Sequence, residues 1–292
     1  MINQNMCNDG CATRCTDNKP LELYLFIDPL CHDCWSLDPV IKKLQFEYGH
    51  YFSLIYVLSG KLTRLNKTPK IPNFKDLATF HLSKTIRKHC VDCSDIQPNV
   101  NLTSPYLASI AIKAAELQGR KSGVRFLRKI QEYLYLKNQD ITNLNILLSC
   151  AKEADLDVEE FKKDIHSTST AHAFQCDLKI TNEMNVSEIP TVVFFNNKVE
   201  EEGLKLSGVH AYEVYVEVIT EILGEKPIPQ QLPNLLDFIK HFQFVTTKEI
   251  SIIYDRPLLQ VETELKKLML QQEILLIETP RGSYWKYVGR NG

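Results

Sequence analysis

The stretch "FIDPLCHDCWSLDP", Phe26 to Pro39, decides how the rest of the chain is read. Cys31 and Cys34 stand two residues apart, just past an apolar run. Such a pair alone is ambiguous between a zinc knuckle and a thiol couple. A zinc site needs four ligands, often from two such pairs. A thiol couple needs a strand, a tight turn and a helix whose first turn holds the leading cysteine. That second context is present. "LELYLFID" (Leu21–Asp28) has the aromatic and branched make-up of a buried strand, and "WSLDPVIKKLQFEYG" reads as a helix ending near Gly49. A cysteine at the start of that helix faces unpaired backbone N–H groups and the positive end of the helix dipole, a setting suited to a reactive thiolate. His32, if protonated, would add to this field, and Asp33 would oppose it. Cys34, one turn on, would be the resolving thiol.

Working outward, "YFSLIYVLSG" (Tyr51–Gly60) is a second strand, so the order β-α-β implies a parallel pair. From Leu62 to about Pro98 the pattern weakens around a short helix expected near Asn73–His89. Helical signals then dominate. "SPYLASIAIKAAELQG" (Ser104–Gly119) has Ser-Pro at its start and Gly at its end. "KSGVRFLRKIQEYLYLK" continues with apolar spacing near 3.6, and "ITNLNILLSCAKEA", "DVEEFKKDI" and a helix through Thr170–Met184 follow. Strand character returns at "TVVFF" (Thr191–Phe195). "EGLKLSG" (Glu202–Gly208) can pair back on it as a hairpin. In "SEIPTVVFF", Pro190 stands just before that strand, a junction suited to a cis peptide bond. "AYEVYVEVITEILG" is an amphipathic helix stopped by Gly224. "EKPIPQQLPN", with three prolines in ten residues, reads as a linker. Beyond it come a helix, then "KEISIIY" with Thr247 as its cap, a "DRP" turn, the helix "LLQVETELKKLMLQQ", and two strands joined across "TPRG". Helix, helix-turn-helix and hairpin is the winged-helix plan.

The 292 residues are 44% hydrophobic, enough for a sizeable core and more in keeping with two domains than one. The net charge of -2 gives no general pull towards nucleic acid or anionic membrane. No run approaches the roughly 18 apolar residues of a membrane span, and the polar start "MINQNMCNDGCATRC" lacks the apolar core of a secretory signal. A cytoplasmic protein is expected. From Leu235 onward eight Lys and Arg stand against seven Asp and Glu, which is no basic face for DNA. The terminal unit reads better as a protein-interaction module.

Nine cysteines are an odd number, so they cannot all pair within one chain. In a reducing compartment they read as thiols or ligands. Cys7, Cys11 and Cys15, spaced by three, would share one face of a helix and are candidate zinc ligands; the alternative is three oxidant-sensitive thiols. Cys90 and Cys93 form a second CxxC with no strand before it. Cys150 and Cys176 fall inside helical patterns and are expected to pack.

β-α-β with CxxC, a helical block, then Pro-Thr before a hairpin and a last helix resembles the DsbA branch of the thioredoxin superfamily. "DPLCHDCW" is similar to the "DPxCxxCW" form of cytosolic members. "DPLCHDCWSLDPVIKKL", "SGKLTRLN", "SPYLASIAIKAAELQGRKSGVRFLRKIQE" and "GSYWKYV" further resemble the SpxH (YjbH) family over nearly the whole chain past the leader. The implied fold class is α/β: a thioredoxin-like sheet of DsbA type with a large helical insertion, plus a small C-terminal winged-helix-like domain. The expected domains are a Cys-rich leader over 1–19, a DsbA-like domain over 20–224 with its insertion at about 62–184, a linker over 225–234 and the winged-helix-like domain over 235–292. In thioredoxin-like folds the proline corresponding to Pro190 lies beside the CxxC, and the backbone before it, here Ile189, pairs with bound peptide. The family resemblance implies a cytosolic adaptor that binds the transcription factor Spx and promotes its degradation by the ClpXP protease, with ClpX a further candidate partner and neither nucleic acid nor membrane involved. A Cys/His-rich leader is also a feature of that family. No cofactor is required on this reading. His-Asp replaces the Pro-His that oxidase relatives carry between their cysteines. The alternative is a thiol-disulfide oxidoreductase using Cys31 and Cys34.

Overall fold

In the computed structural model of the chain, residues 19–60, 106–196, 203–279 and 282–289 are described. The expected helix near Asn73–His89, the leader cysteines Cys7, Cys11 and Cys15, and the pair Cys90 and Cys93 lie outside the described residues.

The first sheet is built on β1 (Leu21–Ile27), five of whose seven residues are buried, as its apolar run requires. Its neighbours are β2 (Phe52–Leu58), which runs parallel to it, and β3 (Thr191–Asn196), which runs antiparallel. β4 (Leu204–Ser207) closes the order β2-β1-β3-β4 as the hairpin partner of β3. Between β1 and β2 runs α1 (His32–Tyr48), which buries Leu37, Val40, Ile41 and Leu44. Between β2 and β3 come α2 (Leu107–Leu117), α3 (Arg120–Gln131), α4 (Leu144–Glu153), α5 (Val158–Asp164) and α6 (Thr168–Glu183). Asn143, Asp157 and Ser167 cap the last three, each side chain accepting from a first-turn N–H. Asp177 of α6 accepts from the Leu58 N–H at 2.8 Å and pairs with Lys113 of α2 at 2.6 Å, tying two helices to the edge of the sheet. α7 (Tyr212–Leu223) ends at Gly224, whose φ of +74° is left-handed and suits glycine.

The stretch read as helical as far as Lys137 is helical, but not α-helical to its end. After Gln131 it widens into a π-helical turn, Glu132–Leu136, all five residues of which are buried. The buried Glu132 carboxylate is held by Lys129 at 2.6 Å and by Lys137 at 3.1 Å, and a π turn aligns residue i with i+5.

Past residue 234 the chain builds a second sheet and a second core. α8 (Leu235–Phe242) leads to β5 (Phe244–Val245), then α9 (Thr247–Tyr254), α10 (Leu258–Leu270), β6 (Ile274–Thr279) and β7 (Gly282–Tyr287). The antiparallel sheet has the order β5-β7-β6. Phe238, Ile250, Ile253, Val261, Leu265 and Trp285 form its core. β5, two residues long, leaves no period in the sequence. The cap of α9 is Thr246, in a reciprocal box with Glu249, while the Thr247 hydroxyl accepts from Trp285 Nε1 at 3.0 Å.

This C-terminal unit packs on α1 and α3. Lys42 donates to Glu249 at 2.7 Å, and Arg128 reaches Asp38 at 3.2 Å, Glu249 at 3.1 Å and the Phe244 carbonyl at 2.5 Å. Asp38 also pairs with Lys42, and Lys43 with Asp255. Phe46 of α1 lies against Phe238 and Phe242. Lys42 and Glu249 are 5% and 4% exposed, so their charges depend on one another. The proline-rich segment is not a free tether: Gln230 N–H donates to the Glu47 carbonyl at 2.7 Å and Ile228 N–H to the Tyr51 hydroxyl at 3.2 Å.

Candidate functional site: a covered thiol pair

β1 delivers the chain to the site through a tight turn. Asp28 Oδ1 accepts from the Leu30 N–H at 2.8 Å, and the Asp28 carbonyl accepts from the Cys31 N–H at 3.0 Å. Cys31 then stands at the N-cap of α1 in an extended conformation, and its carbonyl accepts from the Trp35 N–H at 3.3 Å. Cys34 follows in the first helical turn. Both cysteines are free thiols and only 5% exposed. Burial, and then its hydrogen bond to Cys31, pushes the Cys34 thiol well above the usual thiol range. Cys34 therefore stays protonated at neutral pH.

The sheet register brings Pro190 to the same end. Phe26 of β1 pairs with Thr191 of β3, so the Ile189–Pro190 peptide, which is cis, precedes β3 where β1 leads into Cys31. The Pro190 carbonyl accepts from the Gly208 N–H at 2.7 Å. Ile189 is 2% exposed and Pro190 is buried beside it, while Ser187 and Glu188 just before them are exposed.

Beside the thiols the structure places Tyr135, a residue the sequence did not single out. Tyr135, in the π-helical turn, is 1% exposed. Its ring stacks on Trp35 with centroids 5.5 Å apart and meets His32 edge-on at 5.8 Å. Burial, and then the nearby Cys31 and Cys34, push its phenol well up. The Tyr135 hydroxyl and His32 Nε2 are both buried with no hydrogen-bond partner. Burial lowers the His32 pKa and Asp33 only partly offsets it, so His32 is neutral at pH 7 and adds no positive charge beside Cys31. Below Cys34, a cavity of about 20 Å³ lined by Cys34, Leu37, Asp38, Tyr56 and Gln131 has room for a water molecule and no more.

The remaining described cysteines stay apart from the pair. Cys150 is buried in α4, its thiol pushed up to about 12 by burial and then by Glu153. Cys176 on α6 is only half-buried, 3.8 Å from His172 Nδ1, rather than packed in the core as expected. Among the described residues no three His, Cys, Asp or Glu side chains are grouped to hold a metal ion, and no helix is long and apolar enough to cross a membrane.

Comparison with known proteins agrees with this geometry. A thioredoxin family model matches residues 24–217. A putative protein disulfide isomerase from Nitrosomonas europaea, 18% identical, superposes with a TM-score of 0.53 over 70% of this chain and 98% of its own. A probable DsbA oxidoreductase from Streptomyces coelicolor, 13% identical, gives 0.51 over 74% and 94%. These two likenesses are of fold: a thioredoxin-like sheet of DsbA type. ClpXP adapter protein SpxH of Bacillus subtilis strain 168 is 47% identical over 271 residues, covering 92% of this chain and 89% of its own. The chain belongs to the SpxH family.

Proposed function

We propose that the chain is an adapter that binds the transcription factor Spx and presents it to the ClpXP protease. One observation carries the reading: the 47% identity to a relative named ClpXP adapter protein SpxH, extending over 92% of this chain. The disulfide isomerase neighbour matches over nearly all its own length with only 70% of this chain, so an oxidoreductase frame leaves a segment over. We read that frame as residues 20–224, joined by 225–234 to a winged-helix-like unit over 235–292 that serves protein contacts, with 1–19 as a Cys-rich leader. The adapter acts by affinity. Preferential binding of one Spx conformation raises the population of the form that ClpX engages, and no covalent step is required. The cytoplasm is the compartment this implies.

The covered thiols support binding over turnover. Attack by Cys31 on a substrate disulfide needs an open approach to its sulfur, and both cysteines are closed in. A second reading, thiol-disulfide exchange through Cys31 and Cys34, is favoured by one feature, the pair at a helix start beside cis Pro190. Calorimetric titration with purified Spx separates the two. The adapter reading expects the same Kd, within about twofold, for wild type and the Cys31→Ser/Cys34→Ser variant. Absence of binding by either form overturns it. For the leader we propose zinc on Cys7, Cys11 and Cys15, checked by metal content of wild type against the triple serine variant.

A further inference from the structure

Tyr135 belongs to the same buried cluster as Cys31 and Cys34, and Trp35 packs against that cluster and stacks on Tyr135, yet the Tyr135 hydroxyl and His32 Nε2 find no partner there. The closed arrangement therefore gains no hydrogen bond from either group. What does grip it is the C-terminal unit. Leu136, next to Tyr135 in the π-helical turn, forms one buried cluster with Phe244 and Tyr284 of that unit, and Trp35 and Ile277 pack on the same cluster. The Tyr284 hydroxyl donates to Glu132 Oε1 at 3.2 Å, at the start of the same turn. The Arg128 guanidinium lies over the Phe244 ring at 4.3 Å while donating to the Phe244 carbonyl and to Glu249. The unit thus holds α1 and the α3–π-turn segment, the two elements that carry Cys31, Cys34, Trp35 and Tyr135.

We infer that the C-terminal unit is the closing part of the thiol site: docked, it keeps Tyr135 and Trp35 packed with Cys31 and Cys34, and undocked, it releases them. Much of the contact is ionic, centred on Lys42, Arg128, Asp38 and Glu249, and contacts of this kind between units permit relative motion. Docking and thiol access are then two readings of one equilibrium. By reciprocity, whatever draws the unit away exposes the thiols, and any adduct on Cys31 too bulky for the closed arrangement weakens docking by the same factor. The inference does not depend on which protein the chain delivers.

The test is alkylation of the full chain by iodoacetamide, followed site by site by peptide mass spectrometry. The thiolate sulfur forms a bond to the acetamide carbon, iodide leaves, and the thiol proton passes to buffer. Cys176, half-buried and away from the contact, is the reference. Tyr284→Ala removes packing behind the turn, and Glu249→Gln removes the charge that Lys42 and Arg128 share. In both variants Cys31 is expected to react at least about tenfold faster relative to Cys176, with Cys150 still protected. An unchanged Cys31 rate while hydrogen exchange of α9 amides rises overturns the inference. Should a variant unfold, shown by fast labelling of Cys150, the wild type decides in sub-denaturing urea. There Cys31 labelling is expected to track exchange of the α9 amides, and labelling that tracks Cys150 instead overturns it.

Discussion

Tyr135 holds a buried hydroxyl that has no hydrogen-bond partner. A buried hydroxyl without a partner loses its hydration and gains nothing in return. Tyr135→Phe keeps the ring on Trp35 and removes that group. The variant should be as stable as wild type or more stable by about 1 kcal/mol in urea denaturation. A loss of more than that would mean the hydroxyl is satisfied in solution. Cys34 and Cys150 set a pH dependence. Both thiols have folded pKa values above the unfolded one, about 12 for Cys150. Their contribution to stability is complete below the unfolded thiol pKa and is lost as pH rises towards the folded value. The denaturation midpoint should fall as pH climbs from about 9 towards 12, at up to about 1.4 kcal/mol per pH unit for each group. In Cys150→Ala the slope should be shallower.

At the scale of elements, caps and close approaches decide what forms. Thr246 and Glu249 satisfy each other's backbone N–H groups at the start of α9, and Thr246→Ala should cost about 1 kcal/mol in the unfolding of the C-terminal unit. α2 and α3 meet at Gly123, where an added Cβ would lie 2.3 Å from Glu116 Cγ and 3.3 Å from Glu116 Cα. Gly123→Ala should push Glu116 off Lys113, its partner at 2.8 Å, and cost about 1–3 kcal/mol in thermal or urea unfolding. Elements with a clear period or punctuation were legible in the sequence: β1, the β3–β4 hairpin, α7 with its Gly224 stop, and the CxxC at the head of α1. Those without were not. The π-helical turn has no period of its own, β5 is two residues long, and the cap of α9 is Thr246 where Thr247 was expected, because side-chain geometry and not residue type selects it. Of the candidate site, Cys31, Cys34 and Pro190 could be read, because strand, helix and proline have local signatures. Tyr135 could not, because its role comes from the fold alone.

For the whole molecule, the deciding contacts join residues far apart in the chain. Lys42 and Glu249 are separated by 207 positions, a distance at which no local pattern operates. Their cluster fixes the C-terminal unit on the frame. Glu249→Ala would leave Lys42 and Arg128 buried with only Asp38 between them, which should cost about 3–5 kcal/mol and split unfolding into two steps visible by calorimetry. A DsbA-type frame with buried thiols and a C-terminal unit docked on it leaves an adapter's work to binding surfaces and not to thiol chemistry. The most direct measurement is the rate of Spx degradation by purified ClpXP, alone, with the wild-type chain, and with the Cys31→Ser/Cys34→Ser variant. Equal acceleration by both forms is the predicted result. Acceleration by the wild type alone would make thiol chemistry part of the mechanism, and acceleration by neither would contradict the adapter function itself.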